Sequence, residues 1–136
     1  MAAHPHDLTP AALQFLSDRH LATLTSLLPN GVPHVVPVGF TWDAERSLAR
    51  VITNGSSRKA RNAAAGGPVA LCQLDGRWWL TIEGTATVSS DADRVAEAVE
   101  RYARRYRTPR ENPTRVVIEI AVTRLLGSAE FFSAGP

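Results

Sequence analysis

Cysteine occurs once in this chain, at Cys72, so no intramolecular disulfide can form and a cysteine-based zinc site is excluded. The four histidines, His4, His6, His20 and His34, do not fall at metal-ligand spacing beside acidic neighbours, and no metal is expected. No apolar run approaches the roughly 18 residues that a membrane-spanning helix needs, which reads as a soluble, cytoplasmic chain. Neither G-x-G-x-x-G nor a Walker loop is present, and strands and helices do not alternate, which argues against a parallel nucleotide-binding sheet. Charge of one sign is barely in excess: 15 basic against 13 acidic side chains leave +2. Arginines gathered at a few places point to local anion binding rather than a general attraction for polyanions.

What is there is a chain of 136 residues, 44% apolar and 21% charged, which has the size and balance of one globular domain. A large cofactor cavity would remove much of so small a core, which favours a site at an interface between two copies. Residues 1–7 and 131–136 read as flexible tails. Thr9-Pro10 is an N-cap and first turn for a short helix ending near Arg19, with Leu13, Phe15 and Leu16 as its apolar stripe. Residues 21–28 alternate, and the Pro29-Asn30-Gly31 turn returns the chain as a strand over 32–42. A third strand follows over 48–53, a helix over 56–65, and a hairpin of 69–74 and 78–88 about Asp75-Gly76-Arg77. Gly84 is expected at a bulge or a close backbone approach. Asp91 caps a helix over 92–107, and a half-buried strand runs over 115–125. The fold class predicted is α+β, mainly β: six antiparallel strands in a small barrel with three helices.

The segment Thr53-Asn54-Gly55-Ser56-Ser57-Arg58-Lys59-Ala60-Arg61-Asn62 leaves a strand, turns at glycine and enters a helix rich in donors. Free amides, hydroxyls, a guanidinium fork and a point ammonium together suit a phosphate. A capped surface helix with solvated charges explains the same residues.

The chain resembles the pyridoxamine 5′-phosphate oxidase-like superfamily of split β-barrels. The likeness runs in unbroken order from Leu21-Ala22-Thr23-Leu24 through Asn30-Gly31-x-Pro33, Ile52-Thr53-Asn54, Ser57-Arg58-Lys59 and Val69-Ala70-Leu71 to Ile82-Glu83-Gly84-Thr85-Ala86. It covers residues 8–129. The resemblance implies that Ser57, Arg58 and Lys59 contact a cofactor phosphate, with Thr53 and Ser56 close by. The flavin mononucleotide (FMN) oxidases of the superfamily carry an arginine and a lysine where this chain has Val36 and Thr41. The strand His34-Val35-Val36-Pro37-Val38-Gly39-Phe40, the helix with Lys59 and Asn62, and the block Tyr102-Ala103-Arg104-Arg105-Tyr106-Arg107-Thr108-Pro109-Arg110 are instead similar to the deazaflavin-dependent branch. Within that branch they resemble the coenzyme F-420-dependent biliverdin reductases.

That resemblance implies a homodimer in which Val36, Pro37, Val38 and Gly39 line the cofactor ring and Trp79 reaches it across the interface. Trp78 and Trp79, adjacent on a strand, must face opposite ways. Arg104, Arg105 and Arg107 are candidates for the carboxylates of a tetrapyrrole or of the coenzyme's glutamate tail, against the plainer reading of a solvated helix face. The cofactor implied is coenzyme F-420, with FMN as the alternative, and the reaction is hydride transfer to a conjugated acceptor such as biliverdin. A non-enzymatic cofactor or tetrapyrrole carrier, and a nucleic-acid or regulatory protein without a recognisable motif, are the competing classes.

Overall fold

The computed structural model describes residues 3–133. Three helices, α1 (Pro10–Ser17), α2 (Arg58–Ala64) and α3 (Ala92–Arg105), start where the sequence places their caps: Thr9, Ser57 and Asp91 each accept a backbone N–H of the first turn. The strands are β1 (Ala22–Leu27), β2 (Pro33–Val38), β3 (Thr41–Asp43), β4 (Leu48–Asn54), β5 (Pro68–Asp75), β6 (Trp78–Ser89) and β7 (Arg115–Gly127). They form one antiparallel sheet in the order β2-β1-β5-β6-β7-β4-β3.

The expected six strands are therefore seven. The stretch read as one strand over 32–42 is cut at Gly39 and Phe40: β2 pairs with β1, whereas β3 pairs with β4 at the far edge of the sheet. Three residue steps span at most about 11 Å, while six strand spacings laid flat would put those edges about 29 Å apart. The sheet must curl until its edges nearly meet, forming an open barrel whose seam is the Gly39–Phe40 corner. Glycine is needed there, because a Cβ on Gly39 would stand 3.0 Å from the Tyr102 ring and 3.1 Å from that of Tyr106. Gly84 meets its expectation: the β6–β7 register shifts between Glu83 and Gly84, and a Cβ there would lie 2.3 Å from the Ala121 carbonyl oxygen.

Strict alternation builds the core. Leu24, Leu71, Ile82 and Leu125 lie in one cross-strand row, all buried, while Thr25, Ala70, Glu83 and Arg124 form the adjacent row on the outer face. Cys72 lies with this outer set and is half-buried. The last strand departs from its half-buried expectation. Residues 116–120 are buried throughout, because α3 packs on the β4–β7 face that would otherwise meet water. The described parts of the termini are tied down: Ala3 bridges to Leu125, Leu8 to Phe132, and the Ser133 N–H donates to the Asp7 carbonyl. The remainder of the expected tails, residues 1–2 and 134–136, lies outside the described residues.

A charge cluster fixes α3 against the β3–β4 hairpin. Asp43 accepts from Arg46 at 2.8 Å and from buried Arg50 at 2.9 Å, and faces Arg101 at 3.3 Å. Glu97 on α3 meets Arg46 at 3.0 Å and Arg101 at 3.1 Å. Burial pushes the Asp43 carboxyl up, but the hydrogen bonds from Arg46 and Arg50 and the charge of Arg101 outweigh it and hold the group at about 2.

Candidate active site

The seam of the barrel opens into a pocket of about 280 Å³. Pro37 and Val38 of β2 with Gly39 at the corner form one wall, Ile52, Thr53 and Asn54 from β4 another, and Lys59, Tyr102 and Arg115 approach from α2, α3 and β7. Five elements, drawn from positions 37 to 115, thus converge where the curled sheet stays open. Lys59 is the only lysine among the 15 basic residues. It makes no hydrogen bond or ion pair among the described residues, so its ammonium is available to a ligand. Both the Ser57-Arg58-Lys59 motif and the count of lysines single it out in the sequence.

The start of α2 is arranged by its own hydroxyls. The Thr53 hydroxyl donates to Ser57 Oγ at 3.1 Å and the Ala60 N–H donates to the same oxygen at 3.2 Å. Ser57 Oγ thus serves the helix start, and Ser57 itself is not among the residues that line the pocket. Ser56 turns back instead, its N–H and hydroxyl both donating to Asn54 Oδ1.

The remaining predicted residues separate. Arg58 and Lys59, adjacent in sequence, diverge by about 100° around the helix. Arg58, with Arg61 and Asn62, lines a different cavity beside Leu28 and Pro29. Asn62 is buried and donates to Ser26 Oγ at 3.1 Å. Val36 packs on the core, one residue short of the pocket wall. Trp78 and Trp79 face opposite ways as expected: Trp78 packs on Phe131, whereas Trp79 is 38% exposed on the outer face.

The arginines of α3 diverge too. Arg105 donates to the Phe40 and Asp18 carbonyls at 2.6 and 2.8 Å and to Gln73 Oε1 at 2.7 Å, and burial pulls its pKa down. Its donors hold the seam together. Arg104 is exposed and faces Glu100 at 3.7 Å. Arg107 lines a separate cavity with Arg19, His20, Leu21, Tyr102 and Tyr106.

Sequence reasoning missed Arg115, Asn54, Asn112 and Tyr102 as pocket residues. Asn54 read as part of the turn into the donor-rich helix, Arg115 as the start of the last strand, and Tyr102 as part of the Tyr102–Arg110 block. Only the pairing of Asn54 with Arg115 brings those ends to one rim.

Tyr106 braces the corner from behind: its hydroxyl donates to the His20 carbonyl at 2.6 Å and accepts the Phe40 N–H at 3.2 Å, and burial raises its pKa. Tyr106→Phe leaves both backbone groups short of a partner and is expected to cost about 1–3 kcal/mol, read as a lower midpoint in urea denaturation.

A family model described as pyridoxamine 5′-phosphate oxidase matches residues 8–128. The chain belongs to the pyridoxamine 5′-phosphate oxidase family. Within it, the chain is 57% identical over 123 residues to the F-420H(2)-dependent biliverdin reductase of Mycobacterium tuberculosis (strain CDC 1551 / Oshkosh), covering 90% of each protein. In fold it is similar to a conserved hypothetical protein of Mycobacterium tuberculosis, with a TM-score of 0.76 at 19% identity, covering 96% of this chain and 95% of the other. It is also similar to a structure described as an F-420 reductase, with a TM-score of 0.66 at 23% identity, covering 83% of this chain and 94% of the other. These last two likenesses concern the fold. The family assignment agrees with the antiparallel sheet described above. No helix among the described residues is long and apolar enough to cross a membrane.

Proposed function

We propose that this protein is a coenzyme F-420-dependent reductase of biliverdin, working in the cytoplasm as a homodimeric split β-barrel. The observation that carries the reading is the 57% identity, over 90% of both chains, to a reductase of that name. The pocket supports it. An unpartnered lysine in the pocket suits a phosphate, and the Pro37–Gly39 backbone with Ile52 suits the edge and face of a planar ring. When bound, the reduced coenzyme supplies a hydride to the central methine carbon of biliverdin, and a proton taken up at a ring nitrogen completes bilirubin. The chain's own contribution is to hold, orient and partly desolvate that pair.

FMN is the alternative, and positions 36 and 41 weigh against it. Val36 packs on the core, and Thr41 lines a cavity with Leu16 and Arg105 rather than the one with Lys59. Neither supplies a basic group to the site.

The homodimer is supported by size and surface. A pocket of about 280 Å³ is at the small end for a drug-sized ligand, so a tricyclic cofactor would be only partly covered by one chain. The outer face of β2, β5 and β6 also carries Val35, Leu74 and Trp79, exposed by 57%, 65% and 38%. On this reading Trp79 completes the partner's site. Leu74→Arg is expected to sediment as a monomer and to lose most of its cofactor affinity. A wild-type monomer that binds cofactor fully would sink the shared site. The catalytic reading is tested by titrating the apo-protein separately with coenzyme F-420 and FMN, then adding biliverdin to the reduced complex. Preferential F-420 binding with bilirubin formation is expected. Preference for FMN would move the protein to the flavin enzymes, and binding without turnover would make it a carrier. Cell fractionation checks the compartment.

A further inference from the structure

The Gly39–Phe40 corner lies between β2 and β3, and side chains from the end of α3 supply its hydrogen bonds. The Phe40 N–H donates to the Tyr106 hydroxyl at 3.2 Å, and the Phe40 carbonyl accepts from Arg105 at 2.6 Å. Arg105 also donates to the Asp18 carbonyl at the end of α1, at 2.8 Å, and to Gln73 Oε1 at 2.7 Å. Gln73 on β5 is fully buried, and its Nε2 donates to the Phe15 carbonyl at 2.7 Å. Phe15 and Asp18 belong to the helix end whose carbonyls lack intrahelical donors. The guanidinium lies over the Phe40 ring, 4.7 Å from its centre, and every group to which it donates is neutral. A cation buried without a carboxylate adds little to stability. What three fixed acceptors and a rigid fork do provide is a defined backbone position.

We propose that Arg105, clamped by Gln73, is a positioning residue for the cofactor ring; the inference rests on the coenzyme F-420 reading above. Arg105 does not line the pocket with Lys59, so it acts through the Phe40 carbonyl. Pro37, Val38 and Gly39, one wall of that pocket, run directly into Phe40. Pairing of β2 with β1 ends at Val38 opposite Ala22, so beyond it the wall is held by the two Phe40 hydrogen bonds and by the tyrosine rings against Gly39. Releasing the carbonyl lets Gly39, which has the widest choice of backbone angles, reset the wall. Lys59 is carried by α2, outside this network. The ring end of the cofactor should therefore lose its place while the phosphate end keeps its hold.

The test compares wild type with Arg105→Lys, with Gln73→Met, and with Leu125→Ala, a truncation at a buried core position outside the network. Each apo-protein is titrated with coenzyme F-420 while the absorbance band of the bound deazaflavin is followed, and is then turned over with biliverdin, all below its melting temperature. Arg105→Lys should bind the coenzyme within about three-fold of wild type, because the phosphate grip remains. Its band should move back toward that of the free coenzyme, and kcat should fall between about 10-fold and 100-fold with the KM for biliverdin nearly unchanged. Gln73→Met should change both readouts in the same direction by less. Leu125→Ala should melt at least as early as Arg105→Lys and keep the wild-type band and kcat. A wild-type band and kcat in folded Arg105→Lys, or equal losses in Leu125→Ala, overturn the positioning role. A shifted band in Arg105→Lys with no bilirubin formed by wild type leaves that role standing and removes the reductase reading. No coenzyme uptake by wild type overturns both.

Discussion

Replacing Asp43 by asparagine should lower the stability of this protein by about 3 kcal/mol and its melting temperature by roughly 10 °C. Asp43 is 2% exposed and receives Arg46, Arg50 and Arg101, while Arg50 is itself buried. Removing the carboxylate leaves the Arg50 charge in the interior with only the 3.6 Å contact to Glu97. The same cluster dictates the acid limb of stability. The carboxyl is held at about 2 in the fold against an ordinary 3.8. Its contribution is therefore complete above about pH 4 and is lost as the pH falls through about 2. Urea titrations between pH 5 and pH 2 should show the wild type losing stability across this window and Asp43→Asn losing distinctly less. Parallel losses in the two proteins would assign acid unfolding to other carboxylates. Because the cluster anchors α3, whose last turn braces the seam with Tyr102 and Tyr106, the variant should also bind cofactor more weakly at temperatures where it is still folded.

Lys59→Ala should weaken coenzyme F-420 binding about 100-fold, the size of effect expected when a charged partner is taken from a partly desolvated anion. Its melting temperature should not move, since Lys59 makes no ion pair or hydrogen bond among the described residues. Lys59→Arg keeps the charge but not the compact point donor, and should fall between the two. A second readout follows from composition. As the only lysine, Lys59 is the single side-chain target of amine-directed reagents, and saturating coenzyme should protect it from labelling. Retained affinity in Lys59→Ala, or labelling indifferent to coenzyme, would remove the phosphate from this pocket.

The sequence by itself determined what is local or strictly periodic. Thr9, Ser57 and Asp91 cap helices because short oxygen side chains satisfy first-turn amides wherever they precede a helix. Asn30-Gly31 and Asp75-Gly76 turn hairpins because glycine adopts the positive φ that those turns require. The ordered run of motifs from Leu21-Ala22-Thr23-Leu24 through Ser57-Arg58-Lys59 to Ile82-Glu83-Gly84-Thr85-Ala86 was enough to expect the family. Only the tertiary structure decided that residues 32–42 form two strands. What divides them is pairing with β1 at one edge and β4 at the other, together with the two tyrosine rings that crowd Gly39. It also sent Arg58 and Lys59 into different cavities, gave Arg105 to backbone carbonyls, and brought Arg115, Arg19 and Arg107 to the rims of two adjoining spaces. Those outcomes depend on helix rotation and on contacts between residues dozens of positions apart, which one-dimensional spacing does not encode.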